Sequence, residues 1–196
     1  MRRSALFGLA AAALLSAASV AAAEGLRWQL GFRHATPTWI KVQDAGESST
    51  VRWYMTYTVE NRTGEARKPV IRAEIRTDTG KTFGDTGDPR TIAAFKKAAN
   101  LDEVATFLDL RKGIEDGKAV KCIATFGRVD DYATKLELRV YGLEDPVTMV
   151  KGKQVFEVRY WSVQYERKGD EFRRTEDPWK TVSSGWVVEA PKEEKK

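Results

Sequence analysis

The feature that most constrains the fold is a regular alternation of apolar and polar residues between Val51 and Thr77. It occurs twice, in VRWYMTYTVE and in VIRAEIRT, and the intervening NRTGEARKP is rich in turn-forming residues. A period of two is typical of a β-strand with one face against a core. The stretch therefore predicts two strands, which form either a hairpin or parts of two different sheets of a sandwich.

The same pattern recurs along the chain, with turn residues between the repeats. About seven to nine short strands at regular spacing favour a mainly β fold, with antiparallel sheets packed face to face as a sandwich, and a barrel is the alternative. The other predicted strands cover residues 26–32, 38–42, 81–83, 119–126, 135–141, 154–165 and 185–189, with a brief return strand at 171–174.

A change of period predicts a short helical insert around residues 89–109. Asp88-Pro89 is a favourable helix start, with Asp as the N-cap and Pro at the first helical position. Asn100 ends the predicted helix, and residues 102–108 predict a second short helical turn. We expect the insert to pack on an edge or an end of the sheets.

The N-terminus has the composition of a cleaved signal peptide, spanning residues 1–23. A basic start (Arg2-Arg3) precedes an Ala-rich apolar run, and Ala21-Ala22-Ala23 supplies the small residues of a cleavage site. We therefore expect an exported protein, periplasmic or extracellular, without a transmembrane segment in the mature chain. Residues 24–189 form one predicted domain, and the charged tail 190–196 is expected to be disordered.

Charge argues against a nucleic-acid partner. The leader carries two of the 33 basic residues and none of the 28 acidic ones, so the mature balance is 31 − 28 = +3. Basic and acidic residues are interleaved, which is typical of a solvated surface rather than a nucleic-acid site. The oligomeric state does not follow from the sequence.

The residues that usually carry catalysis or bind metals are scarce. The chain has a single cysteine, Cys122, and a single histidine, His34, so an intramolecular disulfide is impossible. Cys122 alternates with apolar residues and is expected to be buried. A loop with Asp78, Asp85 and Asp88 is better explained by turns and a helix cap than by a cation site. Without a catalytic motif, we predict a protein that is not an enzyme, with no catalytic residues, no metal and no cofactor.

Two longer stretches each have a pattern that goes beyond simple alternation. YMTYTVEN, followed by Thr63-Gly64, is a strand of aromatic and aliphatic residues that ends in Asn before a turn. IEDGKAVKCIATF, followed by KLELRV, is a Gly-containing turn and two strands. Over about residues 51–140 this resembles the small secreted immunoglobulin-like domains of bacteria, although Asp116-Gly117 replaces their usual Pro-Gly turn and the helical insert is a larger departure. The resemblance implies an immunoglobulin-like sandwich that acts in binding, adhesion or envelope assembly, and it brings no catalytic residues.

Aromatic side chains are the candidate interaction surface. The strand QVFEVRYWSVQY has aromatics on both parities, so one set is expected to be exposed or covered by another segment. Exposed rings can anchor a protein partner or stack on sugars. We therefore predict binding to a protein or a cell-envelope component, and a carbohydrate-binding module is the alternative. The candidate residues are Tyr160, Trp161, Tyr165, Trp179 and Trp186.

Overall fold

A computed structural model describes residues 27–43, 48–150, 153–167 and 179–189. The predicted leader (1–23), the predicted return strand (171–174) and the charged tail (190–196) lie outside the described residues. Within the described part, neither helix has the length and the apolar character needed to cross a bilayer.

The described chain is mostly β, as the alternation predicts, with two short helices in one connection. The strands are β1 Gly31–His34, β2 Thr38–Gln43, β3 Ser49–Glu60, β4 Arg72–Thr77, β5 Thr82–Gly84, β6 Ala119–Gly127, β7 Lys135–Tyr141, β8 Val147–Val150, β9 Lys153–Phe156, β10 Arg159–Glu166 and β11 Lys180–Val188, and the helices are α1 Pro89–Ala99 and α2 Phe107–Leu110.

The strands form two main antiparallel sheets and one separate hairpin. In the first sheet, β1 and β2 lie end to end along one side of β3, and β6 pairs with its other side. The second sheet has the order β11-β10-β7-β4-β5, and among the described strands β8 pairs with β9 alone. The arrangement confirms the mainly β fold and is consistent with the predicted sandwich.

The core lies between the inner faces of the two sheets. Val59 of the first sheet and Ile75, Leu138 and Val163 of the second are 0% exposed and belong to one hydrophobic cluster. Burying an aliphatic side chain of this size contributes roughly 1.5–3 kcal/mol. The polar parity of each strand must then point away from the core, which produces two outer faces.

The stretch Val51–Thr77 contributes one strand to each sheet, so it crosses the sandwich and does not form a hairpin. The crossing begins at Asn61, which is 0% exposed. Its side-chain amide donates to the carbonyls of Glu65 (2.8 Å) and Ile114 (2.7 Å), and its oxygen accepts from the Thr63 backbone at 3.1 Å. A buried amide with all these bonds holds the connection in place, because each group would be costly to leave unpaired.

The helical insert lies on the first sheet, as a cover for its outer face and for one edge. Helix α1 begins where the sequence predicts, with the Asp88 side chain accepting from the backbone of Arg90 and Thr91. The Phe95 ring packs on Tyr54 of β3, with centroids 5.1 Å apart. Farther along, the Ala105 carbonyl accepts from the Ile123 backbone at 2.9 Å, so the insert also pairs with the outer edge of β6.

Two predicted strands were placed wrongly because their pairing is nonlocal. The first strand begins at Gly31 rather than at residue 26, since the Leu30 backbone donates to Leu143 (2.8 Å) and not to β3. The long strand predicted at 154–165 is two strands. Lys153–Phe156 pairs with β8, and Arg159–Glu166 begins after a break and joins the second sheet.

Two further boundaries also differ from the prediction. The second helical turn occupies Phe107–Leu110 instead of 102–108, because Thr106 and Asp109 form a capping box at its start. The last strand spans Lys180–Val188 instead of 185–189, since pairing with β10 extends it across polar residues that have no alternation of their own.

Candidate functional site: an arginine–tyrosine face

The two outer faces of the sandwich differ in what covers them. The insert covers the first sheet, but no described helix or strand packs across the outer face of the second sheet. That second face is formed by the polar parity of β4, β7 and β10. We call it the arginine–tyrosine face, and its residues are Arg72, Glu74, Arg76, Glu137, Arg139, Tyr141, Tyr160, Ser162 and Gln164.

Strand register arranges these side chains in three rows across the sheet. The first row joins Tyr160, Tyr141 and Arg72, which are Cα partners on neighbouring strands. The second row joins Ser162, Arg139 and Glu74, and the third joins Gln164, Glu137 and Arg76. Side chains opposite each other on adjacent strands are close enough for direct contact.

The two tyrosine rings of the first row each lie under a guanidinium group. The Arg72 guanidinium carbon lies 4.1 Å from the ring centroid of Tyr141, and that of Arg139 lies 4.7 Å from the ring centroid of Tyr160. The two rings contact each other with centroids 5.0 Å apart. Both tyrosines are only about 5–6% exposed, although they lie on an outer face. Burial raises the pKa of Tyr141 and of Tyr160, so both phenols stay neutral at physiological pH.

Carboxylates of the second and third rows fix two of the arginines. Arg139 donates to Glu137 Oε2 through Nε (2.8 Å) and Nη2 (2.6 Å), and the Ser162 hydroxyl donates to the other carboxylate oxygen at 2.8 Å. Arg76 Nε donates to Glu74 at 2.9 Å. Charge-assisted pairs of this kind hold the side chains in one geometry.

Arg72 differs from the other two arginines. Its guanidinium stacks on Tyr141 and makes no hydrogen bond or ion pair with any described residue. The face carries three arginines and two glutamates, so its formal charge is 3 − 2 = +1. A weakly hydrated, planar cation held against a ring suits a carboxylate, a phosphate or a carbonyl-rich surface.

A cleft extends the face toward the ends of its strands. It has a volume of about 300 Å³ and is lined by side chains of both charges and by the exposed Val182 of β11. The volume is at the small end for ligand pockets, so the cleft fits one side chain or a small polar group. Its other lining residues are Arg76, Thr77, Asp78, Lys135, Leu136, Glu137, Gln164, Tyr165 and Glu166.

The five candidate residues of the sequence analysis are divided between two sides of the second sheet. Tyr160 belongs to the arginine–tyrosine face. Tyr165 points inward, is 1% exposed, and its hydroxyl lies 3.2 Å from Nδ1 of His34. Trp161 and Trp186 pack edge to face, with centroids 5.7 Å apart, and are partly buried against the core.

Trp179 is also partly buried, with its ring against Trp53 of the first sheet at 6.2 Å between centroids. The three tryptophans therefore use much of their ring surface inside the protein. Their interplanar angles, 81° for Trp161 with Trp186 and 66° for Trp179 with Trp53, differ from the flat, parallel array that sugar stacking requires.

Sequence reasoning missed Arg72, Arg139 and Tyr141 as members of a site. A signal was present, since the polar parity of β4 and of β7 carries arginine in RAEIRT and in KLELRVY. Polar residues on an outward parity are ordinary in any exposed sheet, so the pattern becomes informative only when register aligns these strands with Tyr160.

The three acidic loop residues each accept hydrogen bonds from nearby groups of the fold. Asp88 caps α1, Asp78 accepts from the Thr134 hydroxyl at 2.6 Å, and Asp85 accepts from the Thr125 backbone at 2.9 Å. Within the described residues, no group of three or more potential ligands is arranged to hold a metal ion.

A comparison of the chain with models of protein families, with curated proteins and with solved structures finds no match.

Proposed function

We propose that this is an exported, non-catalytic protein with an immunoglobulin-like sandwich that binds a protein or another cell-envelope component through its arginine–tyrosine face. One observation carries the proposal. Arg72 is exposed and stacked on the buried ring of Tyr141, and it has no ion-pair partner among the described residues. The partner supplies the acceptor that this guanidinium lacks.

The arginine side chains of the face are already held in place, which favours a binding surface over an ordinary solvated one. Arginine and tyrosine are enriched at the energetic centres of protein interfaces. Ordering a flexible side chain costs about 0.5–1.5 kcal/mol on association. Ring stacking and ion pairs have already restricted Arg72, Arg139 and Arg76, so a partner meets groups that need little further ordering.

The remaining parts of the proposal rest on the sequence and on the chemistry of the face. Export rests on the leader-like composition of residues 1–23. The non-catalytic part of the proposal rests on the sequence, in which no catalytic motif is recognised. A protein or envelope component is favoured over a sugar because the rings of Tyr141 and Tyr160 are buried under guanidinium groups and are not open to stacking.

Crosslinking in the native cell envelope tests the proposal. The wild type and Arg72→Glu are crosslinked in their own envelope and recovered partners are identified. We expect a specific partner with the wild type and at least a tenfold loss of its recovery with Arg72→Glu, because the charge reversal removes the donor and adds repulsion.

The matched control is Arg111→Glu. Arg111 is also an exposed arginine over an aromatic ring, 5.7 Å from Phe107, but it follows α2 in the helical insert. It should retain the partner. Recovery of no specific partner, or equal losses in both variants, would contradict binding through the arginine–tyrosine face.

A further inference from the structure

The arginine–tyrosine face continues into the residues that precede β4. Buried and exposed positions alternate there, with Ile71 and Ala73 in the core and Val70 and Arg72 exposed. Alternate residues of an extended chain direct their side chains to the same face. Val70 therefore lies on the same outer surface as Arg72 and next to it. It is 61% exposed, so the free cation of the face has an open apolar side chain as its neighbour.

Val70 and Arg72 offer two different contacts at a fixed spacing. Alternate residues of an extended chain are about 6.6 Å apart, from a rise of about 3.3 Å per residue. Val70 offers an apolar surface, whereas Arg72 offers a guanidinium that stacks on Tyr141 and pairs with no described carboxylate. A partner that makes both contacts needs an apolar group and an acceptor at the same spacing. An extended polypeptide has this spacing between alternate residues, which also share one face.

The charges around Arg72 favour a carboxylate over a phosphate as this acceptor. The Tyr141 hydroxyl lies 3.5 Å from Oε1 of Glu74. Burial is the main cause that raises the pKa of Tyr141, and the charges of Glu74 and Glu189 raise it further. Two carboxylates therefore already lie near the ring on which Arg72 stacks. One more carboxylate balances the single positive charge of Arg72, whereas a phosphate monoester carries about −1.5 to −2 at pH 7 and would place surplus negative charge beside them.

We propose that the partner of the arginine–tyrosine face is a protein with an acidic, extended segment in which one residue separates a carboxylate from an apolar side chain. The carboxylate pairs with Arg72, and the apolar side chain packs on Val70. Guanidinium and carboxylate groups form two parallel hydrogen bonds, which fix the geometry of such a contact. This inference rests on the proposed function and adds the chemistry of the partner to it.

Two variants assign the binding of such a segment to the two side chains. Arg72→Gln removes the charge, and Val70→Ser removes the apolar surface. The matched controls are Arg111→Gln and Leu108→Ser, which change an exposed arginine and an exposed apolar side chain of the helical insert. All four side chains are exposed, so each variant should keep the fold. The first two variants should weaken binding about threefold or more, and the controls should bind as the wild type does.

Fluorescence anisotropy with short peptides measures this binding, with the purified protein titrated to high micromolar concentration. The probes are serine–glycine peptides that carry an uncharged dye, one leucine and one glutamate. In the first peptide one serine separates the leucine from the glutamate, and in the second, of equal composition, the two residues are adjacent and point to opposite faces when extended. The first should bind about threefold or more tightly than the second. A third peptide, with phosphoserine in place of glutamate, should bind more weakly than the first.

The peptide experiment and the envelope crosslinking can fail separately, because the peptides need no native partner. Equal binding of the first two peptides, tighter binding of the phosphoserine peptide, or unchanged binding in Arg72→Gln or Val70→Ser would overturn this inference. The proposed function would still stand if Arg72→Glu loses its envelope partner. A spacing preference that depends on Arg72 and Val70, without any recovered partner, would support the contact chemistry and contradict the envelope partner.

Discussion

At the scale of single residues, a close approach of two backbone segments beside Gly142 constrains the fold. This residue follows β7 and has φ +79°, and a Cβ built on it would lie 2.1 Å from the Val70 carbonyl oxygen. Val70 lies two residues before the start of β4, which pairs with β7. The contact therefore controls how the first row of the arginine–tyrosine face begins, at Arg72 and Tyr141.

Gly142→Ala should destabilise the protein far more than Gly64→Ala. Both positions have positive φ, but a Cβ at Gly64 would meet nothing within 4 Å. Gly64→Ala should cost only the conformational penalty, about 1–2 kcal/mol. Gly142→Ala should exceed it by roughly 2 kcal/mol or more, since backbone must move. Denaturant unfolding of both variants measures the difference. Equal losses of stability would mean that the segments can separate freely.

At the scale of elements, two turns at one end of the sandwich are tied together by a nearly buried carboxylate. Asp130, in the connection between β6 and β7, lies 2.9 Å from Nζ of Lys81 and accepts from the Thr79 hydroxyl at 2.7 Å. Lys81 and Thr79 belong to the turn between β4 and β5. The hydrogen bond from Lys81, followed by that from Thr79, lowers the pKa of Asp130 to about 2.

This shift predicts a stability loss at low pH. An aspartate in the unfolded chain has a pKa near 3.9, so the lowered folded-state pKa stabilises the protein above about pH 4. That stabilisation is lost as the pH falls through about 2. In Asp130→Asn this contribution is absent at every pH. Its stability deficit should therefore be largest at neutral pH and shrink between pH 4 and pH 2.

Denaturant midpoints at several pH values measure the effect. Lys81→Met should remove part of the same pH dependence, because the contact with Lys81 is the largest cause of the shift. A deficit of Asp130→Asn that stays constant down to pH 2 would show that the carboxylate is not stabilised in the folded state.

At the scale of the whole molecule, the single thiol reports on the closed interior between the sheets. Cys122 lies on β6 as the Cα partner of Tyr57 and is 0% exposed. Burial raises its pKa to about 12, so it carries almost no thiolate at neutral pH. Reagents can reach it only when the two sheets separate.

Thiol labelling should therefore follow global unfolding. We expect no labelling of Cys122 in native buffer over hours, and a labelling transition in denaturant that coincides with the loss of tryptophan fluorescence. The fully unfolded chain provides the reactive control. Labelling in native buffer at the rate of a free thiol would show that this part of the core opens locally.

Features that depend on near neighbours in the chain were predictable. The start of α1 was found because Asp88 bonds to backbone groups only two and three residues away. The strands at 51–60 and 135–141 were found because side-chain alternation is a local consequence of strand geometry. The burial of Cys122 followed from the same alternation.

Features that depend on which strands pair could only come from the tertiary structure. Aromatics occupy both parities of β10, and only packing of the sheets turned Tyr165 inward and Tyr160 outward. Arg72 and Tyr141 meet Tyr160 through the register of three strands from distant parts of the chain. The sequence by itself thus determined the strands, the helix start and the polar parity. The two sheets and the arginine–tyrosine face were decided by long-range hydrogen bonding between strands, which the local periodicity of a sequence does not encode.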